Sequence, residues 1–408
     1  MRIITGDETG LVKSVVFPPK VEEPKRRSKK VKQDQEGEDE KKKNEPTMIL
    51  NKFGVIDKNE GVQKLCWGEL NGKRHIVVAR KSGKIQYLDV ETGHIEREYR
   101  DENVNKESHF VGLHATEKYL ITCTTSGHLS YTLLSSYNPK DTNNKTTCIS
   151  STLGPDLYVM RVHPARPHLF ATGGKENDLK VYDANLLMKE KEEEKKKALV
   201  FQAKNVKNDM LDLRVKVWIH DLHFLNEEGT RIVTATHYHQ VRVYETKKQR
   251  RPVSDFDVGK NPLLTLHIGV DFDHVIYTDT MSTVATVDLR RGTVGSHYKG
   301  FTGSVSDVFV TPQPSFNDDD DNKKMTKPFL TSVSLDRFLR VHEMSTQFRR
   351  IEQKVYLKQR MTAVLVDETF EFPKDEGKEQ EDQEENEMWD AMETVADSDK
   401  SKSKRKRA

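Results

Sequence analysis

Cysteine and long apolar runs are both scarce in this chain. Its 408 residues include only three cysteines, Cys66, Cys123 and Cys148, which lie far apart in the sequence. An odd number of scattered cysteines excludes a disulfide-based scaffold and a CxxC zinc pair, and it is typical of a reducing compartment. The longest apolar runs have the length of a strand and the N-terminus lacks an apolar signal-peptide core, so we expect no membrane association.

Motifs for catalysis and cofactor binding are also missing. Gly173-Gly174-Lys175 lacks the earlier glycine and the following Ser or Thr of a P-loop. His237 and His239 share a turn, but a structural zinc site normally needs four ligands. Fifteen scattered histidines reveal no Ser/His/Asp or Cys/His arrangement. We therefore predict that the protein is not an enzyme and has no cofactor and no metal site.

Charge is distributed unevenly. The chain is 34% hydrophobic and 32% charged, more polar than a typical globular protein, so part of it should be unpacked. Residues 371–399 contain 13 acidic and 2 basic residues, and residues 400–407 contain 6 basic ones. We predict that residues 369–408 form a disordered acidic tail that ends in a basic cluster. A mildly basic body with such a tail weakly favours a ribonucleoprotein partner.

The dominant pattern is a repeat. Seven segments share a β-rich run, a polar turn and a strand with alternating apolar positions, as in HIVVARKSG followed by KIQYLDV. Six of them are preceded by a further strand, and the seventh copy of that strand, MTAVLVDE at 361–368, lies near the C-terminal end. A ring of sheets explains the displacement, because it closes best when both termini share one sheet. A pair of β-sandwiches does not explain it.

These observations predict an all-β, seven-bladed β-propeller over residues 1–368, with its first blade closed by N- and C-terminal strands. Without the inserts at 18–46, 186–199 and 313–327, a repeat is about 44 residues long, close to the roughly 40–45 of a WD-repeat blade. The Trp-Asp dipeptide that gives such repeats their name ends none of these strands, and Tyr182-Asp183 and Tyr244-Glu245 come closest.

Strand order determines the face on which each connection lies. Links between blades, and links from the second to the third strand of a blade, share one face, which we call the top face. We expect the charged insert 18–46, the helix-like run 186–199, the segment 312–327 and the tail on the opposite, bottom face. The top face then carries the inter-blade loop KNVKNDMLDLRVK (204–216), next to GGKEND (173–178) and THYHQ (236–240).

The same loop carries a family resemblance. AKNVKNDMLDLRVKVW, GGKEND with LKVYD, YHQVRVYETKKQRRPV, SLDRFLRVHEM, KVYLK and EMWDAME resemble the WD-repeat assembly factors of the large ribosomal subunit, which are nucleolar proteins found from fungi to animals. The resemblance covers most of residues 155–365 and the tail. It implies a non-catalytic subunit of nucleolar pre-60S particles, associated with other assembly factors and pre-ribosomal RNA and released by an AAA-family ATPase.

Two interpretations of the loop remain open: its ions brace two blades, or they contact a partner. We expect Asp212 and Arg214 to be structural, and Lys204, Asn205, Lys207 and Asn208 to face a partner. The predicted partner-binding residues are Lys175, Glu176, Asn177, Lys204, Asn205, Lys207, Asn208, Asp209, Asp212, Arg214, Tyr238, His239 and Trp389.

The tail contributes two further predictions. Met388, Trp389, Met392 and Val395 have nearly the spacing of one helical face, so EMWDAMETV is either a docking helix or a segment that folds back onto the bottom face. The second prediction is a nuclear-import signal at Lys400, Lys402, Lys404, Arg405, Lys406 and Arg407, with a weaker candidate at 25–30.

The sequence thus predicts a nuclear and nucleolar scaffold, monomeric within a larger complex of pre-60S assembly factors and the large-subunit precursor. Its basic clusters lack interleaved aromatic residues, so phosphate contact with pre-ribosomal RNA is the most they imply. The main alternative is a WD-repeat adaptor in another nuclear complex, such as one in chromatin or ubiquitin-ligase assembly. A hydrolase that uses the central channel is the third possibility.

Overall fold

The fold was analysed in a computed structural model that describes residues 1–18, 48–104, 107–134, 148–189, 192–316, 327–345 and 349–370. Most of the insert 18–46 and the tail beyond residue 370, including Trp389 and the basic cluster, lie outside the described residues. The predicted domain boundary after residue 368 therefore stays a prediction. No helix among the described residues is long and apolar enough to cross a membrane.

Seven four-stranded antiparallel sheets form the blades of a ring. From the innermost strand outward, blade 1 contains β28 (Met361–Asp367), β1 (Arg2–Asp7), β2 (Val12–Val16) and β3 (Ile49–Phe53); blade 2 contains β4 (Val62–Leu70), β5 (Lys73–Arg80), β6 (Lys84–Asp89) and β7 (Ile95–Arg100); blade 3 contains β8 (Phe110–Ala115), β9 (Tyr119–Thr124), β10 (His128–Leu133) and β11 (Cys148–Thr152); blade 4 contains β12 (Leu157–Val162), β13 (Leu169–Gly174), β14 (Asn177–Asp183) and β15 (Leu199–Gln202).

The remaining blades follow the same order. Blade 5 contains β16 (Ile219–Phe224), β17 (Arg231–Thr236), β18 (Gln240–Glu245) and β19 (Ser254–Asp257); blade 6 contains β20 (Leu263–Ile268), β21 (His274–Asp279), β22 (Val284–Asp288) and β23 (Thr293–Tyr298); blade 7 contains β24 (Val305–Thr311), β25 (Phe329–Ser334), β26 (Phe338–Glu343) and β27 (Ile351–Tyr356).

The terminal strands close the ring as predicted. β28 pairs antiparallel with β1, so that Val366 lies opposite Ile3, and it also packs against the innermost strands of blades 2 and 7. The seven innermost strands contact one another in an unbroken circle. The prediction of a seven-bladed propeller closed by both termini is confirmed.

The apolar core lies between adjacent blades. Val233 and Val243 of blade 5, for example, pack in one cluster with Leu266 and Val275 of blade 6. Both faces of each blade are covered by a neighbour, so the inner strands are buried on both sides and contain nearly continuous apolar runs such as Ile76, Val77, Val78 and Ala79. Each fully buried aliphatic side chain contributes roughly 1.5–3 kcal/mol.

A β-bulge interrupts the innermost strand of every blade close to its top end. Each bulge inserts one unpaired residue and turns the strand locally. The inserted residues are Gln63, Val111, Tyr158, His220, Leu264, Ser306 and Thr362, and all except Tyr158 line the central cavity. Six of the seven bulges thus place an extra side chain around the upper end of the channel.

Two short helices and one aromatic contact lie at the opposite end of the strands. The run 186–199 includes part of α1 (Ala184–Leu187) and all of α2 (Glu192–Lys197), as its composition predicted. In the segment after β24, Phe316 stacks on Phe272 with ring centroids 4.5 Å apart and on His163 at 5.4 Å. Residues 312–316 therefore reach the lower end of the channel, where Phe316 lines the cavity.

Candidate functional site

The connection between blades 4 and 5 is pinned at both ends. At its start, the backbone N–H of Lys204 donates to the carbonyl of Arg250 (2.8 Å), and Nε of Arg250 and Arg251 donate to the carbonyls of Gln202 and Asn205 (2.8 and 3.1 Å). At its end, the backbone N–H of Glu176 donates to the carbonyl of Val217 at 2.8 Å, and Lys175 forms a β-bridge with Trp218. The connection is therefore tied to the β18–β19 loop of blade 5 and to the β13–β14 hairpin of blade 4.

Short polar side chains hold the middle of the connection. The Oδ1 atom of Asp209 accepts hydrogen bonds from the backbone N–H groups of Leu211 and Leu213, both at 2.9 Å. The Asn208 amide donates to the carbonyl and carboxylate of Asp212 (3.1 and 2.9 Å), and Asp212 adopts a left-handed conformation with φ of 58°. In a sheet, these backbone groups would form hydrogen bonds with a neighbouring strand. In this loop, the side chains of Asp209 and Asn208 take that role.

The result is a preformed turn whose tip is apolar. Met210, Leu211 and Leu213 are 97%, 73% and 59% exposed, and we call these three residues the apolar tip. The amides of Asn205 and Asn208 and the carboxylates of Asp209 and Asp212 bond to the loop itself. They fix its shape and leave the apolar side chains in solvent.

The sequence-predicted residues of the loop fall into two groups. The Asn205 amide donates to the carbonyl of Val215 at 2.5 Å, and Arg214 lies 3.4 Å from Glu176, so both belong to the brace. Asn205 and Asn208 were expected to face a partner, but the structure commits both amides to the loop. Lys204 and Lys207 are exposed, and within the described chain neither side chain has an ion-pair partner. Partner contact stays a prediction for all of them.

The 173–178 hairpin contacts this loop through Glu176 and Arg214, and the 236–240 hairpin contacts Trp218 just beyond it. Glu176 and His239 both occupy left-handed turn positions, with φ of 52° and 53°. The Asn177 amide donates to the carbonyl of Pro155 at 2.8 Å, and Nδ1 of His239 lies 2.7 Å from Asp257. These contacts tie each hairpin to an adjacent segment, while Tyr238 packs edge-on against His237.

An aromatic cluster that sequence reasoning missed lies where the loop meets blade 5. Trp218 stacks on His237 with ring centroids 4.0 Å apart, Tyr158 packs edge-on against Trp218 at 5.3 Å, and Nδ1 of His237 lies 3.2 Å from Nε2 of His220. Burial, with a smaller effect of His237, lowers the pKa of His220 to about 4, and burial followed by Lys175 lowers the pKa of His237. Both rings are therefore neutral near pH 7.

Two signals in the sequence pointed to this cluster without identifying it. Trp218 ends the stretch AKNVKNDMLDLRVKVW, which carries the family resemblance, and His237 was considered only as a metal ligand. Tyr158 and His220 are bulge residues, and a bulge cannot be read from alternation.

The central channel contains a balanced set of charges. Nε and Nη2 of Arg161 donate to the two carboxylate oxygens of Asp221, both at 3.1 Å, and Asp221 also accepts from the backbone N–H of Leu266 at 3.0 Å. Asp307 accepts from the backbone N–H of Val364 at 2.9 Å, and the Lys64 side chain also lines the cavity of about 590 Å³. Each carboxylate bonds to the innermost strand of the next blade, so these groups join blades.

The two histidines of the 236–240 turn contact different partners. His237 faces His220, whereas His239 faces Asp257. Among the described residues, His75, Asp89 and Glu96 are the group whose ligand atoms lie close enough to hold an ion, and there Nε2 of His75 lies 2.9 Å from Glu96.

Comparison with known proteins agrees with this architecture. No family model matches the chain. The β-propeller domain of Cps50 (Swd1) from Myceliophteria thermophila superposes with a TM-score of 0.53 at 11% identity, covering 74% of this chain and 88% of that one. The protein is therefore a seven-bladed propeller of the WD-repeat type.

Similarity in sequence identifies the family. Over 352 residues the chain is 36% identical to WD repeat-containing protein 74 of Bos taurus and 34% identical to that of Homo sapiens, covering 84% of this chain and 83% of each relative. It thus belongs to the family of WD repeat-containing protein 74. It is also 26% identical to Ribosome biogenesis protein nsa1 of Schizosaccharomyces pombe, over 99% of both chains. The resemblance to WD-repeat ribosome assembly factors is confirmed, and these names support a role in ribosome assembly.

Proposed function

We propose that this protein is a non-catalytic scaffold for assembly of the large ribosomal subunit, and that it docks into the nucleolar pre-60S particle through its top face. The names of the fungal relatives, which are ribosome biogenesis proteins, support a role in ribosome assembly. The proposal of a docking surface rests on the exposure of the apolar tip, Met210, Leu211 and Leu213.

The physical argument rests on preorganisation. Adjacent exposed apolar side chains gain nothing for the isolated protein, whereas burying a Met or Leu against a partner yields roughly 1.5–3 kcal/mol. The hydrogen bonds of Asp209 and Asn208 already fix the backbone of the tip, so a partner does not have to order it. A braced loop with an apolar tip suits binding to another protein of the particle, which we assign to the pre-60S assembly factors.

Double substitution of the tip tests this function. We expect Met210→Asp with Leu213→Asp to leave the melting temperature unchanged and to reduce co-sedimentation of the tagged protein with pre-60S particles about tenfold or more, because hot-spot anchors are worth about 2 kcal/mol or more. The matched control is Val270→Asp, which changes an exposed apolar residue in the β20–β21 connection of blade 6. Normal sedimentation of the double variant would refute docking through the tip.

Purification of the parent protein separates this function from a general adaptor. Co-purification of pre-ribosomal RNA and large-subunit proteins is expected, whereas histones or ubiquitin-ligase subunits in their place would support the alternative.

The remaining parts of the proposal concern segments outside the described residues. We assign nuclear import to the basic cluster of residues 400–407, and unchanged nuclear fluorescence after its deletion would contradict that assignment.

Docking of Trp389 to one assembly factor, or to the AAA-family ATPase that we propose releases the protein, predicts that Trp389→Ala loses one partner in a pull-down without a change in melting temperature.

A further inference from the structure

We infer that four exposed cations at the junction of blades 4 and 5, Lys204, Lys207, Arg250 and Arg251, form a binding site for the phosphate backbone of RNA. We call these four residues the cationic rim. The inference deepens the proposed function, on which it rests, by assigning an RNA contact to a surface separate from the apolar tip.

The rim is held in place by the bonds that pin the start of the loop. Lys204 donates its backbone N–H to the carbonyl of Arg250, while the two arginines donate Nε to the carbonyls of Gln202 and Asn205. Anchoring through Nε leaves the two terminal nitrogens of each guanidinium for an outside ligand. A planar, anchored fork matches phosphate geometry and loses little entropy on binding.

The lack of carboxylate partners distinguishes the rim from its surroundings. Nearby cations are paired: Lys248 lies 3.6 Å from Glu245, Nε of Arg242 lies 3.2 Å from Asp255, and Lys247 bonds to Glu228. Within the part of the chain that the structure describes, none of the four rim residues lies within ion-pair distance of a carboxylate. Like charges without carboxylate partners on neighbouring segments repel one another, and an external polyanion would relieve that repulsion.

Phosphate fits the rim better than an acidic peptide does. Grooves that bind peptides combine charge with exposed apolar anchors. The other side chains beside the rim residues are Asn205, Val206 and Gln249, and the one apolar residue among these three, Val206, is partly buried. The apolar tip lies farther along the loop, beyond Asn208 and Asp209. A cationic surface without aromatic side chains contacts the phosphates and does not read bases.

The experiment measures binding of a fluorescent 20-base-pair RNA duplex to the full chain by anisotropy at several salt concentrations. The variant Lys204→Gln with Lys207→Gln removes two charges whose side chains take no part in the brace. We expect affinity to fall about tenfold at low salt, and the slope of log K against log salt to become shallower by roughly 1–2, since each phosphate contact contributes about 0.9 in duplex DNA.

The matched control is Lys118→Gln with Lys299→Gln, which removes two exposed lysines from blades 3 and 6 and produces the same net charge. An unchanged salt slope in the rim variant, or an equal loss in the control, would overturn the inference. So would a rim variant that binds RNA normally but no longer binds a synthetic peptide of residues 371–399, because the rim would then be a site for the acidic tail.

Failure of this inference is distinguishable from failure of the proposed function. The variant Met210→Asp with Leu213→Asp retains the rim, so it should bind the RNA duplex normally and lose only its incorporation into pre-60S particles. If that variant loses RNA binding to the same extent as the rim variant, the two surfaces are not independent and the rim assignment is wrong.

Discussion

Asp221 and Asp307 occupy equivalent positions in the innermost strands of blades 5 and 7, each directly after the inserted bulge residue. Each accepts a hydrogen bond from a backbone N–H of the next innermost strand, Leu266 for Asp221 and Val364 for Asp307. Only Asp221 has a guanidinium as its direct partner, from Arg161. Burial, together with a smaller effect of the Asp221 charge, outweighs the Val364 bond and the charges of Lys64 and Arg161 and raises the pKa of Asp307 to about 6.

The raised pKa makes the stability contribution of Asp307 depend on pH. Its folded-state pKa lies above the unfolded value of about 3.9, so the contribution is fully present below that value and is lost as pH rises through about 6. Asp307→Asn cannot ionise, so we expect the stability of the variant relative to the parent to be greater at pH 7.5 than at pH 4.5, by on the order of 1 kcal/mol. Urea unfolding at both pH values measures the difference, and a pH-independent offset would contradict the assignment.

At the scale of single elements, the inter-blade loop shows why a compact β domain contains so many ionic groups in one connection. Backbone groups outside a sheet need other partners, and here short Asn and Asp side chains supply them. The alternatives of brace and contact surface are therefore not exclusive. The polar groups brace the loop, and the exposed apolar tip and lysines remain for contact.

Removing one brace should loosen the tip without unfolding the ring. Asp209→Ala deletes the acceptor of the Leu211 and Leu213 N–H groups, so we expect faster amide hydrogen exchange there and an unchanged melting temperature. Binding to pre-60S particles should weaken several-fold because the tip must be ordered on docking. Asp209→Asn retains an acceptor oxygen and should behave like the parent. Unchanged exchange in the alanine variant would show that Asp209 does not hold the turn.

Much of the fold could be predicted from sequence because propeller strands repeat a period-two pattern between polar turns. The displaced strand at 361–368 revealed the ring closure, and strand order placed the 204–216 loop beside two hairpins. The bulges could not be predicted, since an inserted Tyr158 or His220 does not visibly break so short a pattern. The apolar tip was overlooked because exposure depends on the loop brace, which is a matter of geometry and not of composition.

At the scale of the whole molecule, one strand holds the ring closed. β28 pairs with β1 and packs against the innermost strands of blades 2 and 7. Its side chains Met361, Ala363, Val364, Leu365 and Val366 are all buried. Without it, blade 1 lacks its innermost strand, and the apolar residues that it covers in blades 2 and 7 meet solvent.

A pair of truncations tests this closure. Removing residues 358–408 eliminates five buried apolar side chains, and each large one contributes roughly 1.5–3 kcal/mol to stability. The summed loss is comparable to or greater than the free energy of unfolding of a typical domain, about 5–15 kcal/mol. We expect this truncation to lose cooperative thermal unfolding and to aggregate through the exposed edge of β1. Removing residues 371–408 retains every strand that the structure describes, so it should melt within a few degrees of the parent. If the chain without residues 358–408 unfolds cooperatively at the parental melting temperature, the ring does not depend on its C-terminal strand.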